Sequence, residues 1–361
     1  MKACYDFDVR KTETEPIVHT LTITQPDDWH VHLRDAEALP NTVEASARHF
    51  HRALVMPNLK PALTTVQALL AYRARILAVL PKNHAFNPLM TLYLNETVTA
   101  EELALAKQNP FIVGAKLYPA GATTNSEEGV TNLRVLYPLF DLMQEHDLVL
   151  QIHGETTTGD IFDRETLFLS DDLAPIIANF PRLRIVLEHI STKAAAEFIT
   201  DAPNTIAATI TPHHLLYQRN HLLACGIRPH YYCLPILKRA EDQHALQMRA
   251  ISGNPKFFAG TDSAPHAQES KETDCGCAGI YSSPYAASLY AHLFDELNHL
   301  DKLDAFMGHF GAQFYGFPIN KTQLILHKTP QKVPQSLPLG NKRVVPIEAG
   351  NSIAWSVHES I

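Results

Sequence analysis

The chain has 361 residues, 45% of them hydrophobic and 19% charged, with a formal net charge of −8. That is the composition of a soluble globular protein with ample material for a core, and its acidic balance argues against a nucleic-acid partner, which would want a basic stripe. Residues 1–20 mix both signs of charge and no long apolar run is free of charge, so neither a signal peptide nor a membrane span is expected. Five cysteines, an odd number without framework spacing, point to reduced thiols in the cytoplasm.

In chain order, short apolar runs rich in β-branched residues alternate with longer amphipathic stretches. The runs are 21–23 with 29–33, then 52–56, 89–94, 112–118, 148–153, 184–189, 205–210 and 256–260. Helix-like patterns cover 64–80, 101–108, 133–146, 171–179, 193–199 and 240–252. About eight alternations of strand and helix predict an α/β fold, a (β/α)8 barrel of the TIM type with a C-terminal extension. An open doubly wound sheet is the alternative, but no glycine-rich dinucleotide loop follows the first strand. Beyond Gly316, Pro318, Pro330, Pro334, Pro338 and Pro346 come too close together for barrel units. The expected layout is an N-terminal segment over 1–20, the barrel over 21–316 and an extension over 317–361 packed on it. Short strands are expected in that extension at 343–347 and 352–357.

The expected strands carry polar groups where they end, the edge at which a barrel of this kind gathers its catalytic groups. His30 and His32 flank Val31 on the first, Lys116 closes the fourth, His153 the fifth, His189 the sixth and Asp262 the eighth. Alternation puts His30 and His32 on one face of their strand. Histidine and aspartate are ordinary zinc donors. An H-x-H pair alone is weak, but further polar groups recur at the same end of separate strands. Lys116 is the odd member, because an ammonium has no lone pair and two cations would repel it. Two readings stay open at this point. Lys116 is a cation facing a substrate phosphate or carboxylate, or an amine of depressed pKa that takes up carbon dioxide to become a carbamate.

The order H-x-H, Lys, His, His, Asp on strands one, four, five, six and eight resembles the amidohydrolase superfamily. DDWHVHLRD (27–35), VMPN (55–58), AKLYPAGATTNS (115–126), EHIST (188–192), TITPHHL (209–215), RPHYYCLPILKR (228–239) and GTDSAPH (260–266) narrow it. They are similar to the words of the shorter, class II dihydroorotases. One departure is Gly121, where a larger residue, often Asn, is expected.

The resemblance implies reversible cyclisation of N-carbamoyl-L-aspartate to L-dihydroorotate, the ring-closing step of pyrimidine synthesis. It implies two zinc ions, one on His30, His32 and Asp262 and one on His153 and His189. Lys116, carboxylated to N6-carboxylysine, would bridge them beside a shared hydroxide, with Asp262 as general acid and base. Arg34, Asn58 and His266 would hold the substrate's free carboxylate, and the backbones of Leu234 and Ala278 would add contacts. Residues 119–129 would form a mobile lid carrying Thr123 and Thr124. A homodimer is implied too. Without the resemblance, Arg34 reads equally as a surface arginine paired with Asp35, Asn58 as a turn residue and His266 as a solvated loop histidine. His213, His214 and the Cys275–Cys277 pair are not expected to hold metal. A hydantoinase or allantoinase would share the metal chemistry, whereas a catalytically dead scaffold would have lost donors that are all retained here.

Overall fold

The computed structural model describes residues 20–82 and 84–357, so the expected N-terminal segment lies outside the described residues except for Thr20. The first strand, β1 (Thr20–Thr24), stands apart from the next eight. Those are β2 (Asp27–Val31), β3 (Arg52–Val55), β4 (Asn87–Leu94), β5 (Ile112–Leu117), β6 (Val149–His153), β7 (Ile185–Glu188), β8 (Ile206–Ile210) and β9 (Phe257–Ala259). They pair in parallel in chain order. The ring closes where His32 N donates to Ser263 O at 3.0 Å and Asp262 N to His30 O at 2.8 Å. Helices follow the strands, among them Leu39–Ala47, Val66–Ala78, Ala100–Lys107, Tyr137–His146, Ala174–Asn179, Lys193–Asp201, Ala240–Ala250 and Ala286–Glu296. This is a (β/α)8 barrel.

Local chemistry sets the helix starts. Thr65, Thr99 and Thr192 each cap a helix by accepting a backbone N–H with the side-chain oxygen. Side chains alternate along the strands. On β6, Leu150 and Ile152 join the outer core beneath the helices, while Val149 packs inside the barrel and Gln151 and His153 follow it at two-residue spacing. The lower interior is apolar, with Trp29, Leu54, Leu89, Val186 and Phe258 in one cluster, and Tyr315 stacks on Trp29 at 4.5 Å between ring centroids. Above it Thr91 donates to Gln151 at 2.6 Å, and the polar strand ends come next.

The structure corrects three of the expected strands. Residues 21–23 do not continue into the first barrel strand: β1 pairs antiparallel with β10 (Gln323–His327), which also pairs with β15 (Ser356–Val357). Gln25-Pro26 separates β1 from β2, and proline has no N–H for a ladder. The C-terminal region adds β11 (Gln331–Lys332) with β14 (Ser352–Ile353) and β12 (Leu337–Leu339) with β13 (Lys342–Val344). The strand expected at 343–347 therefore stops before Pro346, and the one at 352–357 divides in two. Among the described residues no helix is long and apolar enough to cross a membrane.

Candidate metal and substrate site

Six side chains converge inside the C-terminal rim of the barrel, and all are at least nine-tenths buried: His30, His32, Lys116, His153, His189 and Asp262. They form two donor groups. In one, Asp262 Oδ1 lies 3.1 Å from His32 Nε2 and 3.4 Å from His30 Nε2. In the other, His153 Nδ1 lies 3.2 Å from His189 Nε2. Donors around a tetrahedral zinc, with Zn–N of about 2.0–2.1 Å, stand roughly 3.3 Å apart, so each spacing suits a shared cation. Burial lowers the pKa of His30, and lowers those of His32 and His189 much further, which keeps these imidazoles neutral with lone pairs to offer.

Partners outside the donor set fix which nitrogen faces inward. Glu188 Oε2 lies 2.9 Å from His30 Nδ1 and also accepts from the Thr209 hydroxyl at 2.5 Å. Asn58 Oδ1 lies 2.9 Å from His32 Nδ1, and Glu155 Oε2 lies 2.8 Å from His153 Nε2. His30 Nε2 and His189 Nδ1 have no hydrogen-bond partner. Lys116 is fully buried and its Nζ is likewise unpartnered, with burial pulling its pKa down to about 8. An orphaned nitrogen on His30 opposite its Glu188 partner, beside an orphaned Lys116 amine, fits a site built for cations.

Two of the predicted donors carry backbone strain. His189 and Asp262 both have φ of 43°, a left-handed conformation that few non-glycine residues adopt. His189 N is held by the Thr209 hydroxyl at 2.7 Å and Asp262 N by His30 O. Asp28 ties the same closure from below, accepting from Thr261 N at 2.8 Å and the Thr261 hydroxyl at 2.6 Å.

Of the predicted substrate residues, Arg34, Asn58, Thr123, Thr124, Leu234 and Ala278 line the cavity above, while His266 lies outside that lining, against Arg34. Arg34 does not pair with Asp35, which makes a two-pronged ion pair with Arg75. Instead Arg34 donates to Pro265 O at 2.9 Å and to His266 Nε2 at 3.0 Å. His266 stays neutral, its pKa pushed down to about 2 by burial and then by Arg34. Asn58 donates to Thr124 O at 3.0 Å, and the Thr124 hydroxyl donates to Ala278 O at 3.2 Å. Thr123 and Leu234 complete the lining with Ala278. Gly121, φ +78°, sits in the left-handed region, where both glycine and asparagine are at home.

His213, His214 and Cys233 bring donor atoms within 4.8 Å of one another. However, His214 is already engaged by Thr211 Oγ1 at 2.8 Å and Pro235 O at 2.9 Å, and the Cys233 thiol donates to Pro235 O at 3.3 Å. Sequence reasoning missed Glu155, Glu188, Asp28 and Thr209. For Glu155 and Glu188 the signal was adjacency, since Glu155 lies two residues past His153 and Glu188 directly precedes His189.

Comparison with known proteins agrees with this architecture. Residues 28–274 match the amidohydrolase family model. A dihydroorotase of Nitrosococcus oceani is 55% identical over 345 residues, spanning 95% of this chain and 100% of that one. The chain belongs to the dihydroorotases of the amidohydrolase family. A Coxiella burnetii dihydroorotase is also 55% identical, over 93% of this chain and 97% of its own. The crystal structure of Saccharomyces cerevisiae dihydroorotase with 5-fluoroorotic acid superposes with a TM-score of 0.88 at 33% identity, covering 94% of this chain and 99% of that one. An L-hydantoinase of Arthrobacter aurescens shares the fold, with a TM-score of 0.77 at 15% identity, over 94% of this chain and 83% of that one. Membership in the dihydroorotases implies a metal centre, and the donor groups described above fit one.

Proposed function

We propose that this dihydroorotase interconverts N-carbamoyl-L-aspartate and L-dihydroorotate at two zinc ions, held by His30, His32 and Asp262 and by His153 and His189. One observation carries the binuclear reading: a fully buried lysine amine without a hydrogen-bond partner stands between two donor groups, His30, His32 and Asp262 on one side and His153 and His189 on the other. With its pKa drawn down to about 8, Lys116 has a fraction of free amine at neutral pH. That amine adds to carbon dioxide, forming an N–C bond and losing a proton. The resulting carbamate has the two oxygens needed to bridge the donor groups. When bound, the cations would lower the pKa of a water and polarise the carbonyl under attack.

The chain's own residues do the rest. In ring closure Asp262 takes a proton from the ureido nitrogen as that nitrogen attacks the carboxyl carbon; one C–O bond of the carboxyl then breaks, and its oxygen leaves as hydroxide carrying that proton. In ring opening hydroxide adds to the ring carbonyl carbon, Asp262 takes its proton, and as the C–N bond breaks Asp262 passes that proton to the departing amide nitrogen. Burial raises the pKa of Asp262, which brings its two protonation states closer in energy. Arg34 supplies the charge that holds the substrate's free carboxylate, with neutral His266 beside it. Asn58 Nδ2 exchanges Thr124 O for a substrate oxygen, while Asn58 Oδ1 keeps its hold on His32. The same reading takes the enzyme as a cytoplasmic homodimer, supported by the class II resemblance and an odd number of cysteines without disulfide spacing.

The test is a spectrophotometric dihydroorotate assay on zinc-loaded protein, with metal counted per chain. Turnover with two zinc ions is expected, and Lys116→Ala should lose metal and activity together, with partial rescue by small carboxylates. Full activity with two ions in Lys116→Ala would remove the carbamate from the reading. Efficient turnover of uncharged hydantoins with none of dihydroorotate would overturn the substrate.

A further inference from the structure

Glu155 lies on the loop leaving β6 and is only 1% exposed. Its Oε2 is 2.8 Å from His153 Nε2. Its Oε1 has no hydrogen-bond partner and lies 4.0 Å from Lys238 Nζ, itself buried and donating to Ile236 O at 3.2 Å. The neighbouring buried carboxylate, Glu165, is fully spoken for by Ser191 N and the Thr192 hydroxyl. Glu155 has no such backbone partners; His153 and Lys238 are what hold it.

An ionised carboxylate only accepts hydrogen bonds. Set against His153 Nε2, it places the imidazole proton there and leaves the lone pair on Nδ1, the atom 3.2 Å from His189 Nε2. His30 and His32 are held the opposite way round, with Nδ1 against Glu188 and Asn58 and Nε2 turned inward. The two donor groups are therefore oriented by separate partners. A buried carboxylate is costly unless a cation or hydrogen bonds compensate it, and Lys238 supplies that charge.

We propose that Glu155, with Lys238 as its counter-ion, is the positioning residue that fixes His153 with Nδ1 toward the cation it shares with His189. This rests on the binuclear reading above. It follows that losing Glu155 weakens one ion and spares the other, which a merely structural role would not do.

The experiment is zinc competition against a chromophoric chelator, run on wild type, Glu155→Gln and Lys238→Met, with thermal unfolding of the metal-free forms as the check on folding. Wild type should hold two ions. Glu155→Gln should keep one at wild-type affinity and bind the other about ten- to a hundredfold more weakly, the usual effect of losing such a partner. Lys238→Met should show a smaller loss at that same ion. Two ions at unchanged affinity in Glu155→Gln would overturn the proposal, as would equal weakening of both. If Glu155→Gln does not fold, Lys238→Met decides: no loss at the second ion overturns the proposal. A wild type holding fewer than two ions would sink the binuclear reading, and the proposal with it.

Discussion

The floor of the site and its rim are built on different principles. The floor, His30, His32, Lys116, His153, His189 and Asp262, hangs from strand ends and is locked by buried partners, Glu188 on His30 and Glu155 on His153. The rim, Arg34, Asn58, His266, Thr123 and Thr124, comes largely from connecting segments whose groups bind one another, as Arg34 does His266 and Asn58 does Thr124. On the floor His30 Nε2 and Lys116 Nζ have no hydrogen-bond partner, whereas the rim groups are paired with one another and must exchange partners when a substrate arrives. Rigidity thus belongs to the chemistry and adaptability to recognition, and the two should respond differently to mutation.

The largest expected effect is on the floor. Asp262→Asn keeps size and an oxygen donor but cannot cycle a proton, so kcat should fall by about 10²–10⁴-fold. Metal content should stay near wild type and KM should move little. A change confined to KM would mean that Asp262 belongs functionally with the rim.

Arg34→Ala should act on recognition. Losing a charged hydrogen-bond partner costs about 1.5–3 kcal/mol, or roughly ten- to a hundredfold in kcat/KM, with zinc content unchanged. A pH signature follows. In wild type burial and then Arg34 push the His266 pKa down to about 2, so it stays neutral and gives KM no pH dependence around pH 5–8. Removing Arg34 removes the second cause of that depression, so the His266 pKa rises. The protonated imidazolium then attracts the substrate carboxylate, so KM of the variant should fall as pH falls. A flat profile in Arg34→Ala would show that burial alone keeps His266 neutral.

The same division governs what the sequence makes legible. Floor residues announce themselves because strand alternation and a common strand end leave a periodic trace, and the eight-fold alternation that reveals the barrel is the same signal. Lys116 was visible but ambiguous, since position alone does not tell a cation from a carbamate. Rim residues leave no periodic trace: without the family resemblance Arg34 pairs as plausibly with Asp35, which in fact binds Arg75. Glu155 and Glu188 escaped because a buried carboxylate looks like any other acidic residue until its partner is known. β1 was misjoined to the barrel because its partner, β10, lies some three hundred residues away, and a long-range pairing has no local pattern.

The smallest expected effect tests whether the rim closes as one piece. Thr124→Val removes the hydroxyl that donates to Ala278 O at 3.2 Å and keeps the shape of the side chain. A single hydrogen bond of this kind is worth about 0.5–1.5 kcal/mol net, so the closed arrangement of 119–129 should become roughly two- to tenfold less favoured. KM should rise by about that factor with zinc content untouched, because Thr124 contacts no donor. Gly121→Asn is the matched control: at φ +78° asparagine is tolerated, so its KM should stay within about twofold of wild type. If Thr124→Val instead lowered metal content, floor and rim would be one coupled unit through Asn58, which holds His32 with one end and Thr124 with the other.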